Sequence, residues 1–69
     1  MNNNETLILV FTTNQEYQLN IIEALLDENN IHYHTIDKQD SMYKIGSFEL
    51  YVDQKDMEKA KEIINKAAL

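Results

Sequence analysis

Apolar residues run without a break through the stretch "TLILVFTT" (residues 6–13), which is rich in the β-branched and aromatic types typical of a strand. A strand sends successive side chains to opposite faces, so strict alternation predicts that Leu7, Leu9 and Phe11 share one face. Ile8 and Val10 then point to the other face, away from the helices. Both faces of this strand are therefore apolar, whereas one layer of helices covers only one of them.

Two helices follow from apolar residues that recur at helical spacing. Thr13 and Glu16 have the spacing of a capping box and predict a helix over about Asn14–Glu28 that ends at Asn29-Asn30. Asn20, Glu23 and Asp27 lie opposite a wide apolar arc, which indicates contact with both the sheet and a second helix. That arc consists of Tyr17, Leu19, Ile21, Ile22, Leu25 and Leu26. Asp53 is the expected cap of a second helix, whose apolar stripe is Met57, Ala60, Ile63, Ile64 and Ala67.

Two more extended segments lie between these helices. The segment Ile31–Lys38 alternates and predicts a second strand, with Ile31, Tyr33 and Thr35 on one side and His32, His34 and Ile36 on the other. A turn at "QDS" leads into Met42–Val52, where Gly46 is the expected position of a bulge. The order is β-α-β-β-α. We predict one α+β domain over residues 1–69, with residues 1–5 as a flexible lead-in. With the third strand in the middle, it is a ferredoxin-like split β-α-β with a three-stranded sheet and both helices on one face.

The composition excludes several function classes. The chain has 12 Asp and Glu against 6 Lys and Arg, a net charge of −6, which argues against nucleic acid and anionic membrane surfaces as partners. It has no Cys, so thiolate metal sites and disulfides are excluded. We find no nucleophile–base motif and no glycine-rich phosphate loop, and we expect no enzyme activity and no cofactor. The opening "MNNNET" lacks the basic region of a signal peptide, so we expect a cytoplasmic protein.

The order of elements and two segments resemble a known family. The segments are "LVFTTNQEYQLNIIEALLDENNIHYHT" and "FELYVDQKDMEKAKEIIN", within a match over about residues 7–65. The chain resembles the small bacterial domains described as putative prokaryotic signal-transducing proteins. Asn30 stands where that family more often has Gly, and Asn also suits a helix end. The resemblance implies a ferredoxin-like fold akin to that of nitrogen-signalling proteins, which is an analogy of fold and not of function.

The two histidines suggest one metal site. His32 and His34 lie two positions apart on a strand and face the same side, and Glu49 on the next strand is expected there too. Two imidazoles and a carboxylate are suitable ligands for zinc, copper or iron. The alternative is that they are half-exposed sheet residues beside Tyr51.

The apolar first strand leads to our main prediction, since an uncharged edge strand is normally covered. We predict a homodimer, paired edge to edge or face to face, with Leu7–Phe11, Ile36 and Tyr51 in or beside the interface. The alternative is a monomer in which the Asn-rich lead-in or the C-terminus folds over this edge. The function predicted is a non-enzymatic regulatory module that binds a metabolite or a partner protein; the alternative is a metal-binding protein. Among the other tyrosines, Tyr17 and Tyr33 are assigned to the core and Tyr43 to a contact surface.

Overall fold

The computed structural model describes residues 6–40 and 45–67 of the chain. Its elements are β1 (Leu7–Thr13), α1 (Glu16–Glu28), β2 (Tyr33–Asp40), β3 (Ile45–Asp53), a 3-10 turn (Gln54–Asp56) and α2 (Met57–Ala67). The three strands form one sheet in the order β1-β3-β2, and both pairs are antiparallel. The α+β fold with the order β-α-β-β-α is thus confirmed, and β3 lies in the middle as the split arrangement requires.

The core lies between one face of the sheet and the two helices. Leu50 and Val52 of β3 are fully buried, together with Ile22 and Leu26 of α1 and Ala60 of α2. These side chains belong to one apolar cluster, so both helices cover the same face of β3. In the described ranges no helix is long and apolar enough to cross a membrane.

A β-bulge in β1 changes which face each residue occupies. Leu9 pairs with Tyr51 but Phe11 pairs with Leu50, so the register shifts by one residue at Val10. Because the inserted residue breaks the period of two, Phe11 joins Val10 against the core and not Leu9 on the other face. Strict alternation along β1 was therefore the wrong expectation.

The strand register also contradicts the predicted faces of Leu7, Ile8 and Leu9. Ile8 lies opposite Val52, and residues opposite each other on antiparallel strands share a face. Since Val52 is fully buried, Ile8 faces the helices, and Leu7 and Leu9 face away. The prediction that Ile8 and Val10 lie on the uncovered face is wrong.

The start of α1 differs from the predicted capping box. The helix begins at Glu16 after Gln15, and no side chain caps it. Thr13 instead ends β1, where its Oγ1 accepts a hydrogen bond from the Gln15 N–H at 3.0 Å and donates to Gln18 Oε1 at 2.6 Å. Thr13 is thus held in the sheet by its strand pairing with Phe48, which removes it from the cap position.

The end of α1 is as predicted. Asn30 adopts the left-handed conformation, with φ of 59°. The Ile31 N–H donates to the Leu26 carbonyl at 2.9 Å and the Asn30 N–H donates to the Asp27 carbonyl at 3.0 Å, which is a Schellman motif. Ile31 and Leu26 are both buried and form the apolar contact that accompanies this motif.

The β2–β3 hairpin is longer and more regular than predicted. Asp40 pairs with Ile45, and the register is continuous through the pair Gln39–Gly46, so Gly46 is not the site of a bulge. Gln39 and Asp40 belong to β2 and not to a turn, and residues 41–44 lie outside the described residues.

The second helix is preceded by a 3-10 turn. Asp53 is extended and makes no capping hydrogen bond through its side chain, so α2 begins at Met57 and not directly after Asp53. Four residues of the predicted stripe are confirmed, since Ala60 is buried and Ile63, Ile64 and Ala67 pack against the core, whereas Met57 is half-buried outside that cluster.

Candidate functional site: the open face of the sheet

The face of the sheet that the helices leave uncovered, here called the open face, is defined by the strand register. Leu9, Tyr51 and His34 form one row across β1, β3 and β2. Thr12, Glu49 and Ile36 form the next row. Further residues on this face, opposite the buried side, are Leu7, Asp53, Ser47 and Lys38.

The apolar side chains of the open face lie on the two edge strands. Leu7 and Leu9 on β1 are 43% and 44% exposed, and Ile36 on β2 is 44% exposed. Tyr51 on β3 is half-buried, and its neighbours on the two edge strands are Leu9 and His34. Several large aliphatic side chains exposed on one face are typical of a surface that contacts another molecule.

The middle of the open face carries a polar cluster. The Tyr51 hydroxyl donates a hydrogen bond to Glu49 Oε1 at 2.8 Å, and Lys38 Nζ lies 3.7 Å from Glu49 Oε2. The hydrogen bond to the Glu49 carboxylate, followed by desolvation and the carboxylate charge, raises the pKa of the Tyr51 phenol above its ordinary value. Both oxygens of Glu49 therefore have partners within the sheet.

The predicted metal ligands are only partly brought together. His34 and Glu49 lie on the open face in neighbouring rows, while His32 precedes β2 and is exposed. Among residues 6–40 and 45–67 no group of three or more His, Asp and Glu side chains is placed to hold an ion. The metal site at His32, His34 and Glu49 stays a prediction, and a zinc titration by calorimetry that released no heat would remove it.

Tyr17 and Tyr33 lie away from the open face. Tyr17 is 59% exposed on α1, so its assignment to the core is wrong; it lies on the side of the helix opposite Leu26. Tyr33 packs against the core, and its hydroxyl donates to Asp27 Oδ2 at 3.2 Å. Burial, and then the Asp27 carboxylate, raises the pKa of the Tyr33 phenol. Tyr43, predicted as a contact residue, lies outside the described residues.

Glu23 was expected on the outer face of α1 but is half-buried. Its Oε2 accepts a hydrogen bond from Thr35 Oγ1 at 2.7 Å, which links α1 to the edge strand β2. The helical wheel alone does not show this contact, because it depends on where β2 lies beside the helix.

The two edges of the sheet differ in charge. β1 reads "LILVFTT" and has no ionisable side chain, whereas β2 carries His34, Asp37, Lys38 and Asp40. Charges on an edge strand discourage pairing with another strand. The uncharged edge is the one beside Leu7 and Leu9, so the apolar part of the open face and the unprotected edge coincide.

A shallow groove lies on the other side of the molecule, between the carboxyl ends of the helices. It has a volume of about 320 Å³ and is lined by Leu25, Asn29, Ile63, Lys66 and Ala67. These residues include no pair of a nucleophile and a base, so the groove does not resemble an active site.

The fold is a small split β-α-β module with one helix layer and one uncovered sheet face. A sequence model of the family described as "putative prokaryotic signal transducing protein" matches residues 7–68. The chain belongs to this family, as the resemblance in its two segments predicts. Neither the curated proteins nor the solved structures gave a match.

Proposed function

We propose that the protein is a non-enzymatic regulatory module that acts as a homodimer, with the open faces of two copies packed together. The observation that carries the proposal is the exposure of Leu7, Leu9 and Ile36, at 43%, 44% and 44%, on the sheet face opposite α1 and α2. A domain of 69 residues has a thin stability margin, so burying this surface against a second copy also stabilises the fold.

The bulge favours packing of faces over pairing of edges. Edge-to-edge pairing needs a regular ladder along β1, but the shift at Val10 divides the strand into two short segments, Leu7–Leu9 and Phe11–Thr13. Bulges at sheet edges bend the strand and interrupt pairing. Stacked faces do not depend on that ladder, and they bury the same exposed leucines.

A two-fold axis parallel to the strands makes the open face self-complementary. That axis places β1 of one copy over β2 of the other without a shift along the strands, so Leu9 lies over the second copy's His34, one row from its Ile36, twice in each dimer. The polar cluster lies near the axis, where the Glu49 carboxylate keeps Tyr51 and Lys38 as partners and is not left unpaired on burial.

The size of the face indicates a weak and reversible dimer. Three strands about 4.8 Å apart and about 23 Å long give a face of about 330 Å² in projection per copy. Stable complexes bury about 800 Å² of accessible surface per partner, so a contact of this size is smaller than that of a stable complex and fits a transient one. An assembly of this kind depends on concentration and responds to a ligand that favours either state, which suits regulation.

A regulatory ligand, either a small metabolite or a segment of a partner protein, is proposed to bind at the interface between copies, in the cytoplasm. Residues that suit such a role are His34 and Lys38, which lie on β2 at the rim of the open face with exposed polar tips. Thermal-shift screening with metabolites and nucleotides identifies this ligand, because binding to the native state raises the melting temperature.

Sedimentation over a concentration series tests the dimer. We expect the mass to rise from 8.1 kDa towards twice that value, and Leu9→Lys to hold it at 8.1 kDa by placing a charge in the apolar contact. Ile21→Lys is the matched control, because Ile21 is 42% exposed on α1, away from the open face. A parent protein of 8.1 kDa throughout, or equal dimerisation of Leu9→Lys, refutes the proposal.

Amide hydrogen exchange separates the two dimer geometries. With stacked faces, the β1 amides that do not pair with β3 stay open to solvent in the dimer. Slow exchange of those amides in the dimer would instead establish edge-to-edge pairing and overturn the stacked arrangement.

A further inference from the structure

The solvent side of α1 carries an apolar stripe. Tyr17 is 59% exposed, Ile21 is 42% exposed, and Ala24 is also exposed. These residues lie at positions i, i+4 and i+7, so they form one row on the side away from the buried Leu26. A surface helix is normally polar on its outer side, and a helix that is apolar all round is normally covered.

This stripe continues into the groove between the helices. Leu25 lies one turn beyond Ile21 and lines the groove together with Ile63 and Ala67. Tyr17, Ile21 and Leu25 span about 12 Å along the helix axis, since each residue rises about 1.5 Å. The stripe and the groove together form one surface, here called the helix channel, which is apolar except at Asn29 and Lys66.

The charges on the α1 side of the helix channel are acidic, whereas Lys66 lines its α2 side. All four charged residues of α1 are carboxylates, and Glu16, Asp27 and Glu28 are exposed. On the α2 side, Lys66 is already paired with Glu62 at 3.6 Å. A second copy that packed its α1 against this α1 would place carboxylates opposite carboxylates, which disfavours that contact between copies.

We propose that the helix channel is a docking site for an amphipathic basic segment of a partner protein. Apolar residues of that segment, spaced at i, i+4 and i+7 on a helix of two to three turns, match the length of the channel. Lys and Arg beside those residues face the carboxylates of Glu16, Asp27 and Glu28. The channel lies on the opposite side of the molecule from the open face, so docking and dimerisation occur at separate surfaces.

The probe is a labelled synthetic helical peptide of Leu, Ala and Lys with its leucines on one face. Two matched peptides serve as controls: the same composition scrambled so that the leucines share no face, and the same pattern with each Lys replaced by Glu. Fluorescence anisotropy gives the affinities, and amide chemical shifts in NMR spectra locate the contact on the full chain. We expect the patterned Lys peptide to bind at least about tenfold more tightly than either control. The shifts are expected at Tyr17, Ile21, Leu25 and Ile63.

Two isoleucine variants of nearly equal exposure distinguish this proposal from the dimer. Ile21→Gln is expected to weaken peptide binding at least about tenfold and to leave the sedimentation mass as in the parent. Ile36→Thr, at a position 44% exposed on the open face, is expected to weaken the dimer and leave peptide binding unchanged. Equal binding of the scrambled or the Glu peptide, shifts that map to the open face, or full binding by Ile21→Gln overturns the docking site.

Discussion

The left-handed residue at the end of α1 gives the sharpest test of the local structure. Asn30 has φ of 59°, while its neighbour Asn29 has φ of −99° and ψ of 9°. A residue with a Cβ atom is strained in the left-handed conformation of Asn30 and not in the conformation of Asn29. The same substitutions at these two adjacent asparagines are therefore expected to have opposite orders of stability.

The magnitudes follow from the backbone and one hydrogen bond. At position 30 the left-handed conformation costs about 1–2 kcal/mol for an ordinary residue and less for Asn, so Asn30→Ala lowers the free energy of unfolding by about 1 kcal/mol. Asn30→Gly relieves the strain but gains unfolded-state entropy, so the net change stays within about 0.5 kcal/mol. At position 29, both variants lose the 2.8 Å bond from Asn29 Nδ2 to the Leu25 carbonyl, and Gly costs about 0.5–1 kcal/mol more than Ala.

Urea and thermal unfolding followed by circular dichroism measure these differences. For a chain of this size, 1 kcal/mol corresponds to about 4–8 °C in Tm, which is readily resolved. We expect Gly to be more stable than Ala at position 30 and Ala to be more stable than Gly at position 29. The same order at both positions would show that Asn30 is not left-handed in solution, and the Schellman motif at Leu26 and Ile31 would then be wrong.

Three further predictions concern the sheet. Phe11→Ala is expected to lower the free energy of unfolding by about 2–3 kcal/mol, because Phe11 packs on the core. Leu9→Ala is expected to lower it by about 1 kcal/mol or less in the monomer, because Leu9 is exposed. Equal losses of the two variants in urea unfolding would contradict the bulge. Glu49→Gln is expected to lower the pKa of Tyr51, measured by phenolate absorbance, and an unchanged titration would show that the hydrogen bond is absent. The raised pKa of Tyr33 predicts stability that is complete below the ordinary tyrosine pKa and is lost as pH rises through the higher folded-state value. Tyr33→Phe is expected to reduce the alkaline loss of stability, to which Tyr51 also contributes, and equal losses in parent and variant would refute the prediction for Tyr33.

Much of the candidate site follows from local sequence on β2 and β3. The alternation of Tyr33 and Thr35 against His34 and Ile36 is confirmed, because β2 pairs with β3 without a break in register. The placement of Glu49 and Tyr51 on the open face follows from the same alternation. Alternation along the sequence predicts the face of each side chain reliably where the strand pairing is regular, since the face then follows from the residue's position in the strand.

Residues whose surroundings come from distant parts of the chain were placed wrongly or missed. Glu23 has a polar partner only because β2 lies beside α1, and Tyr17 is exposed only because no element covers that side of the helix in the described residues. The apolar arc predicted for α1 includes the buried Leu19, Ile22 and Leu26, but also the exposed Tyr17 and Ile21. Its exposed part, which forms the helix channel, is visible only once the position of the sheet is known.

The sequence by itself determined the order of elements, the helix end at Asn30, the apolar stripe of α2 and the family to which the chain belongs. Each of these rests on residues close together in the chain, where propensity and periodicity act directly. The tertiary structure alone decided which leucines face outwards. The bulge at Val10 arises from pairing between β1 and β3, which are separated by α1 and β2, and no local pattern specifies where such a pairing shifts by one residue.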